Sequence, residues 1–418
     1  MTHTSLASWL SYIESQHPAE IELGLARGRT VLARLNLSRP NKQVITVAGT
    51  NGKGSTCAML TQYLCSQGDS VGTYTSPHFL RFNERIALND SPCNDELLCQ
   101  AFEAIETVRD GVALTYFEFS TLAALWIFDR SDLDYWVLEV GLGGRLDSVN
   151  MIDTDVAVVT SIALDHTDWL GDNIEVIAQE KAGIARKDKL LISGVVNPPQ
   201  TIATTAQQVG ALLRQKGRDF TFNADETAWS WQGAGVSFDA LPIPSLPLQN
   251  AATVVAVLVY MGLSPKQHSL KTLFQTVQLT GRFQQVEVSP DVYIDVAHNP
   301  EAALELANRV DRLATLPIAV CGMLKDKDID QVMAHLSGHF SEWFCADLEG
   351  VRGASASQLI RSISNHSEQN FNKVHGYSCV TDAFDAAILR AKEEQRSVVV
   401  FGSFVTVCNY LEQTLHNE

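Results

Sequence analysis

Residues 44–56 read VITVAGTNGKGST. The apolar run at 44–48 is a buried strand by its composition, GTNGKGST at 49–56 is a glycine-rich loop, and a helical pattern starts near Ser55. Strand, loop and helix in this order aim backbone N–H groups and the positive end of a helix at an anion. Gly49, Gly52 and Gly54 let the backbone approach it closely, and Lys53 reaches the outer phosphates. The first glycine lies closer to the lysine than in the standard GxxxxGKS or GxxxxGKT loop, and Gly54 stands where a magnesium-binding hydroxyl is usual. Ser55 and Thr56 are displaced from that position. The loop predicts a nucleotide-consuming enzyme.

Working outward, VGTY at 71–74, YWVLEV at 135–140, VAVVTSIA at 156–163 and LLIS at 190–193 are further continuously apolar runs, as a parallel sheet covered on both faces requires. Segments such as 55–67 and 119–129 between them are long enough for crossover helices, so an α/β doubly wound fold is expected. A stretch with Trp and Pro between about 220 and 250 reads as a hairpin and loop before a helix at 250–261. After TGRF at 280–283, a second alternating series follows: VYIDVA at 292–297, IAVCGM at 318–323, EWFCA at 342–346 and SVVVFGS at 397–403. Two domains are expected: 1–280, ATP-binding, and a smaller α/β domain over 281–418.

Composition excludes other classes. The chain has 418 residues, 45% hydrophobic and 19% charged, which are globular values. A net charge of -17 without a basic run argues against nucleic acid. The eight cysteines form no CxxC pair and no dense disulfide spacing. The first 16 residues have helical periodicity rather than a signal-peptide layout, and no apolar stretch is long enough to span a membrane. A cytoplasmic protein without membrane or nucleic-acid partners is expected, with a small molecule as its ligand.

Candidate site residues lie at strand ends, where ligands of open parallel sheets gather. Glu139 closes the run at 135–140 and precedes a glycine-rich turn, VGLGGRLDSVN. Asp165, His166 and Asp168 follow the run at 156–163, and carboxylate with imidazole suits a divalent cation carrying phosphates. Ser76, in TSPHF at 75–79, offers the hydroxyl that Gly54 lacks. In QEKAGIARK at 179–187, Lys181 beside Glu180 reads by itself as a solvated charged face. In the second domain DVAHNP at 295–300 brings Asp295 and His298 to a strand end, and Arg282 can clamp a phosphate. Asn299 before Pro300 is also a good helix cap.

Taken together, GTNGKGST, YTSPH, LTYFEF, LEVGLGGRLD, SIALDHTDWLG, EKAGI, GRF and DVAHNP resemble the Mur ligase superfamily, and most closely its folylpolyglutamate synthase branch in the bacterial form that is also a dihydrofolate synthase. The resemblance runs from IELGL at 21–25 through GMLKDKD at 322–328 to VVVFGSF at 398–404. It implies that ATP activates a substrate carboxylate as an acyl phosphate, which the amine of L-glutamate then attacks, the acceptors being dihydropteroate and reduced folates. It further implies ATP binding by Thr50, Asn51, Gly52, Lys53, Gly54, Ser55, Asn250, Arg282 and Asp295, with His298 near the phosphates. Ser76, Glu139 and His166 would ligate magnesium, two metal sites being expected, and Lys181 matches a carbamylated lysine that helps hold the second ion. Glu22, Leu23, Gly24, Thr115, Tyr116, Phe117, Glu118, Leu146, Asp147 and Ser148 would line the pterin site, where two aromatic rings suit a flat heterocycle. A monomer is expected. Val149 departs from the small residue usual at that place in the family. LTYFEF speaks against a ligase acting on a UDP-linked peptidoglycan precursor, and the retained Glu139, His166, Lys181 and His298 speak against a nucleotide sensor without ligase activity.

Overall fold

The structure, a computed structural model, describes residues 4–17, 22–37, 42–366 and 373–417. The chain folds into two compact units, Met1–Val277 and Gln278–Glu418. Ile21, the first residue of the IELGL motif, lies outside the described residues.

In the first unit, β1 (Gln43–Ala48), β2 (Val71–Tyr74), β3 (Ile86–Leu88), β4 (Ser91–Pro92), β5 (Tyr135–Glu139), β6 (Val156–Val159), β7 (Leu190–Ser193) and β8 (Leu212–Gln215) form one sheet. Its order is β4-β3-β2-β5-β1-β6-β7-β8. The strands from β2 to β8 run parallel, and β3 and β4 add an antiparallel edge. The α/β expectation holds. Parallel pairing needs crossovers, and the helices Lys53–Ser66, Tyr116–Arg130, Ile174–Ala182 and Gln200–Val209 supply them on both faces. Because β1 sits between β5 and β6, three neighbouring strands deliver the phosphate loop, Glu139 and the Ser161–His166 segment to one edge. The next strand, β2, delivers Ser76 there.

Two sequence readings need correction. The run 156–163 is strand only to Val159, because Thr160 and the residues after it turn to bond the phosphate loop. The stretch expected as a hairpin is a three-stranded antiparallel sheet of β9 (Phe220–Ala224), β10 (Ala228–Gly233) and β11 (Val236–Pro242). Trp229 and Trp231 alternate with Ser230 on β10, so both indoles face inward and are buried. Burial of each ring contributes on the order of 2 kcal/mol. Trp231 Nε1 donates to Ala252 O at 3.0 Å, which docks this sheet on the helix Leu248–Tyr260 that carries Asn250. The helical periodicity of the first 16 residues is seen as the helix Leu6–Glu14, and a second helix, Ala26–Arg34, follows it; both pack into a core with the helices Asp95–Arg109 and Tyr116–Arg130.

The second unit has one sheet, in the order β12-β13-β17-β14-β15-β16. Its strands are β12 (Gln284–Val288), β13 (Asp291–Ile294), β14 (Ile318–Cys321), β15 (Glu342–Ala346), β16 (Val374–Tyr377) and β17 (Val398–Phe401). All neighbours are parallel except β12 with β13. Val398–Phe401 is fully buried, as a strand covered on both faces should be.

Candidate active site

The loop Gly49–Thr56 is held by the chain that leaves β6. Thr50 N donates to Ser161 O and Asn51 N to Ser161 Oγ, both at 3.0 Å. Thr160 Oγ1 donates to Asn51 O at 2.6 Å, and the Thr50 hydroxyl exchanges hydrogen bonds with the Ala163 carbonyl (3.1 Å) and amide (3.0 Å). Thr50 therefore builds the loop with its side chain. Gly49 has no room for a side chain, since a Cβ there would come within 1.8 Å of Thr160 Oγ1. Gly52 caps the helix Lys53–Ser66 at φ +81°, a left-handed conformation that favours glycine, and a Cβ on it would strike the Asn250 side chain at 2.4 Å. Asn250 thus stands against the loop. Lys53 Nζ donates to Gly49 O and Thr50 O, each at 3.0 Å, so its charge lies over the loop.

Ser76 and Glu139 meet: Ser76 N donates to Glu139 Oε2 at 3.0 Å, and Glu139 is only 5% exposed. Glu139 also faces the phosphate helix. Burial, and then the Glu139 charge, push the Cys57 thiol on that helix well above its usual pKa, while Lys53 pulls it down. His166 is the residue before the short helix Thr167–Leu170, at φ +53°, with its side chain 41% exposed. Asp165 accepts from His166 N at 2.8 Å, and Asp168 is exposed on that helix. Among the described residues, no group of three or more His, Cys, Asp and Glu side chains is arranged to hold a metal ion. The expected set contains two such residues, Glu139 and His166, with a serine hydroxyl as the third. The hydroxyls of Ser55 and Thr56, buried in the first turn after the loop, have no hydrogen-bond partner among the described residues. Orphaned hydroxyls and the buried Glu139 carboxylate are hard oxygen donors, the donor type that fits a magnesium-like ion.

Lys181 is not on a solvated face. It is 5% exposed, while its neighbour Glu180 turns outward to Arg145 Nη2 at 2.7 Å. The turn after β5 covers it: Gly144 lies so close that a Cβ would meet Glu180 O at 2.7 Å and Lys181 Cα at 3.1 Å. The glycine pair of VGLGGRLD is thereby explained by close approach to a helix.

The three expected pterin segments are joined. Gly24 N donates to Leu146 O at 3.2 Å. Arg27 forms ion pairs with Glu22 and, at 3.2 Å, with Glu118. Thr115 and Glu118 form a reciprocal capping box at the start of the helix Tyr116–Arg130, with Thr115 N to Glu118 Oε2 at 2.8 Å. The half-buried rings follow: Tyr116 has Arg85 over it at 5.4 Å, and Phe117 packs on Gly141 and Tyr74. Asp147 is buried and accepts from Leu142 N (2.8 Å) and Val149 N (2.9 Å). Burial dominates, so its carboxyl is pushed up to about 6 against the pull of these amides and of Lys53. Ser148 is buried beside it, and Val149 is fully buried in the core, so the departure from a small residue fills space there.

In the second unit the GRF segment and the β13 end are tied by Phe283 N to Asp295 Oδ2 (2.8 Å) and Val296 N to Gly281 O (3.0 Å). Arg282 lies over the Phe404 ring at 5.5 Å. Burial raises the Asp295 pKa, and Arg282 and Arg309 oppose this. His298 Nδ1 bonds Val296 O at 2.7 Å, which leaves Nε2 as the acceptor in a neutral ring. Asn299 caps the helix Pro300–Val310 by accepting from Ala302 N at 3.0 Å. Sequence reasoning missed Thr160 and Ser161, which shape the loop, and Arg27. The signal for the first pair was two adjacent hydroxyls ending an apolar run.

Known proteins resemble this chain over nearly its full length. The Mur ligase middle domain matches residues 47–240, and the Mur ligase glutamate ligase domain matches 281–404. The dihydrofolate synthase/folylpolyglutamate synthase of Escherichia coli is 45% identical over 97% of this chain and 95% of its own length. A structure of E. coli FolC in complex with DHPP and ADP superposes with a TM-score of 0.94 at 44% identity, covering 100% of this chain and 99% of that one. A bifunctional folylpolyglutamate synthase/dihydrofolate synthase with Mn, AMPPNP and L-glutamate bound gives a TM-score of 0.90 at 43% identity, with the same coverage.

Proposed function

This chain belongs to the Mur ligase family, in its dihydrofolate synthase/folylpolyglutamate synthase branch, and from that premise we propose that it is an ATP-dependent ligase adding L-glutamate to 7,8-dihydropteroate and to reduced folates. The observation that carries this reading is the gathering of the phosphate loop, Glu139, Ser76 and the Ser161–His166 segment on four adjacent strand ends. Asp147 of the pterin set lies close enough to feel the Lys53 charge, which supports a carboxylate acceptor beside the phosphates.

In the proposed reaction the acceptor carboxylate attacks the γ-phosphorus, ADP leaves, and an acyl phosphate forms. The glutamate amine then attacks the acyl carbon, phosphate departs and the nitrogen loses its proton. Thr50, Asn51, Gly52, Lys53, Gly54 and Ser55 cradle the phosphates, with Lys53 neutralising charge on the transferred group. Ser76, Glu139 and His166 would hold magnesium, and carbamylated Lys181 would help hold a second ion. A divalent ion there would offset phosphate charge and orient the γ-phosphoryl group. Lys181 is 5% exposed, which supports a role in the interior over a solvated charged face. Asn250, Arg282 and Asp295 are proposed for nucleotide binding, and His298 for catalysis near the phosphates. Glu22–Gly24, Thr115–Glu118 and Leu146–Ser148 are proposed to bind the pterin. The work divides between residues 1–280, for ATP, and 281–418, the ligase domain, in a cytoplasmic monomer.

The test is phosphate release from ATP by the purified protein. Release is expected only with dihydropteroate plus L-glutamate, or a reduced folate plus L-glutamate. Release driven by a UDP-muramoyl acceptor instead would falsify the folate reading.

A further inference from the structure

Arg27 lies in the helix Ala26–Arg34 and is the one cation paired, among the described residues, with both Glu22 and Glu118. Its Nε is 3.3 Å from each oxygen of Glu118, whose side chain is 2% exposed, and its Nη2 donates to Glu22 O at 3.1 Å. Nη1 pairs with the Glu22 carboxylate, which is half exposed. One guanidinium therefore spans from the solvent rim to the interior. The segment after Glu22 borders open space, since a side chain on Gly24 would meet nothing within 4 Å, and the rings of Tyr116 and Phe117 directly precede Glu118. Gly24 N to Leu146 O then connects this pair of segments to the one bearing Asp147. A lysine is a point donor and cannot reproduce such a two-sided fork.

We propose that Arg27 is a positioning residue for the pteroyl pocket, setting the spacing between the Glu22–Gly24 segment and the helix start at Thr115–Glu118 through a shared guanidinium. This rests on the folate reading above. The pocket holds the acceptor and not the nucleotide, so loss of Arg27 affects acceptor affinity selectively. Removing it also leaves the Glu118 carboxylate buried with, among the described residues, the Thr115 amide as its remaining donor.

The experiment is steady-state kinetics of wild type, Arg27→Ala and Arg27→Lys with dihydropteroate and with a reduced folate, alongside thermal unfolding. Arg27→Ala is expected to raise the acceptor KM at least about tenfold, with kcat and the KM for ATP within about twofold of wild type. Added guanidinium ion is expected to restore part of the affinity, and Arg27→Lys to fall between. An unchanged acceptor KM in Arg27→Ala, or a KM for ATP that rises as much as the acceptor KM, overturns the proposal. If Arg27→Ala does not fold, Arg27→Lys decides: a raised acceptor KM with kcat retained supports it, and wild-type KM overturns it. A wild type that releases phosphate with neither acceptor overturns the folate reading and this proposal together, whereas an active wild type with insensitive variants overturns this proposal alone.

Discussion

Ser76 N lies 3.0 Å from Glu139 Oε2, so the loop after β2 and the last residue of β5 meet at a single buried carboxylate. Glu139 then has two tasks, to accept from an amide and to present negative charge beside the phosphate helix. Glu139→Gln retains an acceptor oxygen for Ser76 and loses the charge. Its folate-dependent phosphate release is expected to fall on the order of 100-fold with little change in unfolding temperature. EDTA is expected to abolish wild-type activity and magnesium to restore it. Wild-type rates in Glu139→Gln, or insensitivity to EDTA, would remove Glu139 from ion binding.

Gly49→Ala inserts a methyl into the position that Thr160 Oγ1 occupies. Thr160 must move, and its bond to Asn51 O is lost. The KM for ATP is expected to rise at least about tenfold, with the acceptor KM altered much less. Isothermal titration with a non-hydrolysable ATP analogue checks it. Undiminished affinity would mean the loop tolerates the displacement.

Asp147 gives a pH signature. Its carboxyl is raised from 3.8 to about 6 by burial, so the folded state favours the protonated form. The resulting stabilisation is complete below pH 3.8 and is lost as pH rises through about 6. Asp147→Asn carries no such charge. Relative to Asp147→Asn, wild type is therefore expected to lose up to about 3 kcal/mol of unfolding free energy between pH 4 and pH 7.5. Urea denaturation of both proteins at the two pH values measures it, and a pH-independent difference would show that the folded pKa is not raised.

Lys181→Ala removes the group proposed for carbamylation, and Lys181→Arg keeps a charge that cannot be carbamylated. Both are expected to lose activity, by at least about tenfold. Acetate or bicarbonate should raise the rate of Lys181→Ala more than that of Lys181→Arg, because only the smaller side chain leaves room for a carboxylate. Full activity in both would remove the carbamate from the mechanism.

The β1–loop–helix unit was legible because an apolar run, glycines and a lysine each state a local requirement. What escaped depended on distant partners. Thr160 and Ser161 are compatible with a strand, and only the loop they bond makes them leave it. Lys181 next to Glu180 has the charge pattern of a surface, yet the Gly144 turn lies across the lysine. The half-polar strand β8, Leu212–Gln215, lies at a sheet edge where continuous apolarity is not needed, so its pattern was silent. Thr115 and Glu118 carried a readable T-x-x-E cap signature; Arg27, brought close by the fold across 91 residues, carried none.

The hydrogen bonds that Thr160, Ser161 and Ala163 make with Thr50 and Asn51 brace the glycine-rich loop from within the protein. Because these partners are protein groups, part of the conformational entropy of ordering that loop is lost on folding. Mutations in the β6 exit should therefore loosen the loop and weaken nucleotide binding. Affinity for ATP is in this sense set partly by two hydroxyl residues, Thr160 and Ser161, that lie outside the glycine motif itself.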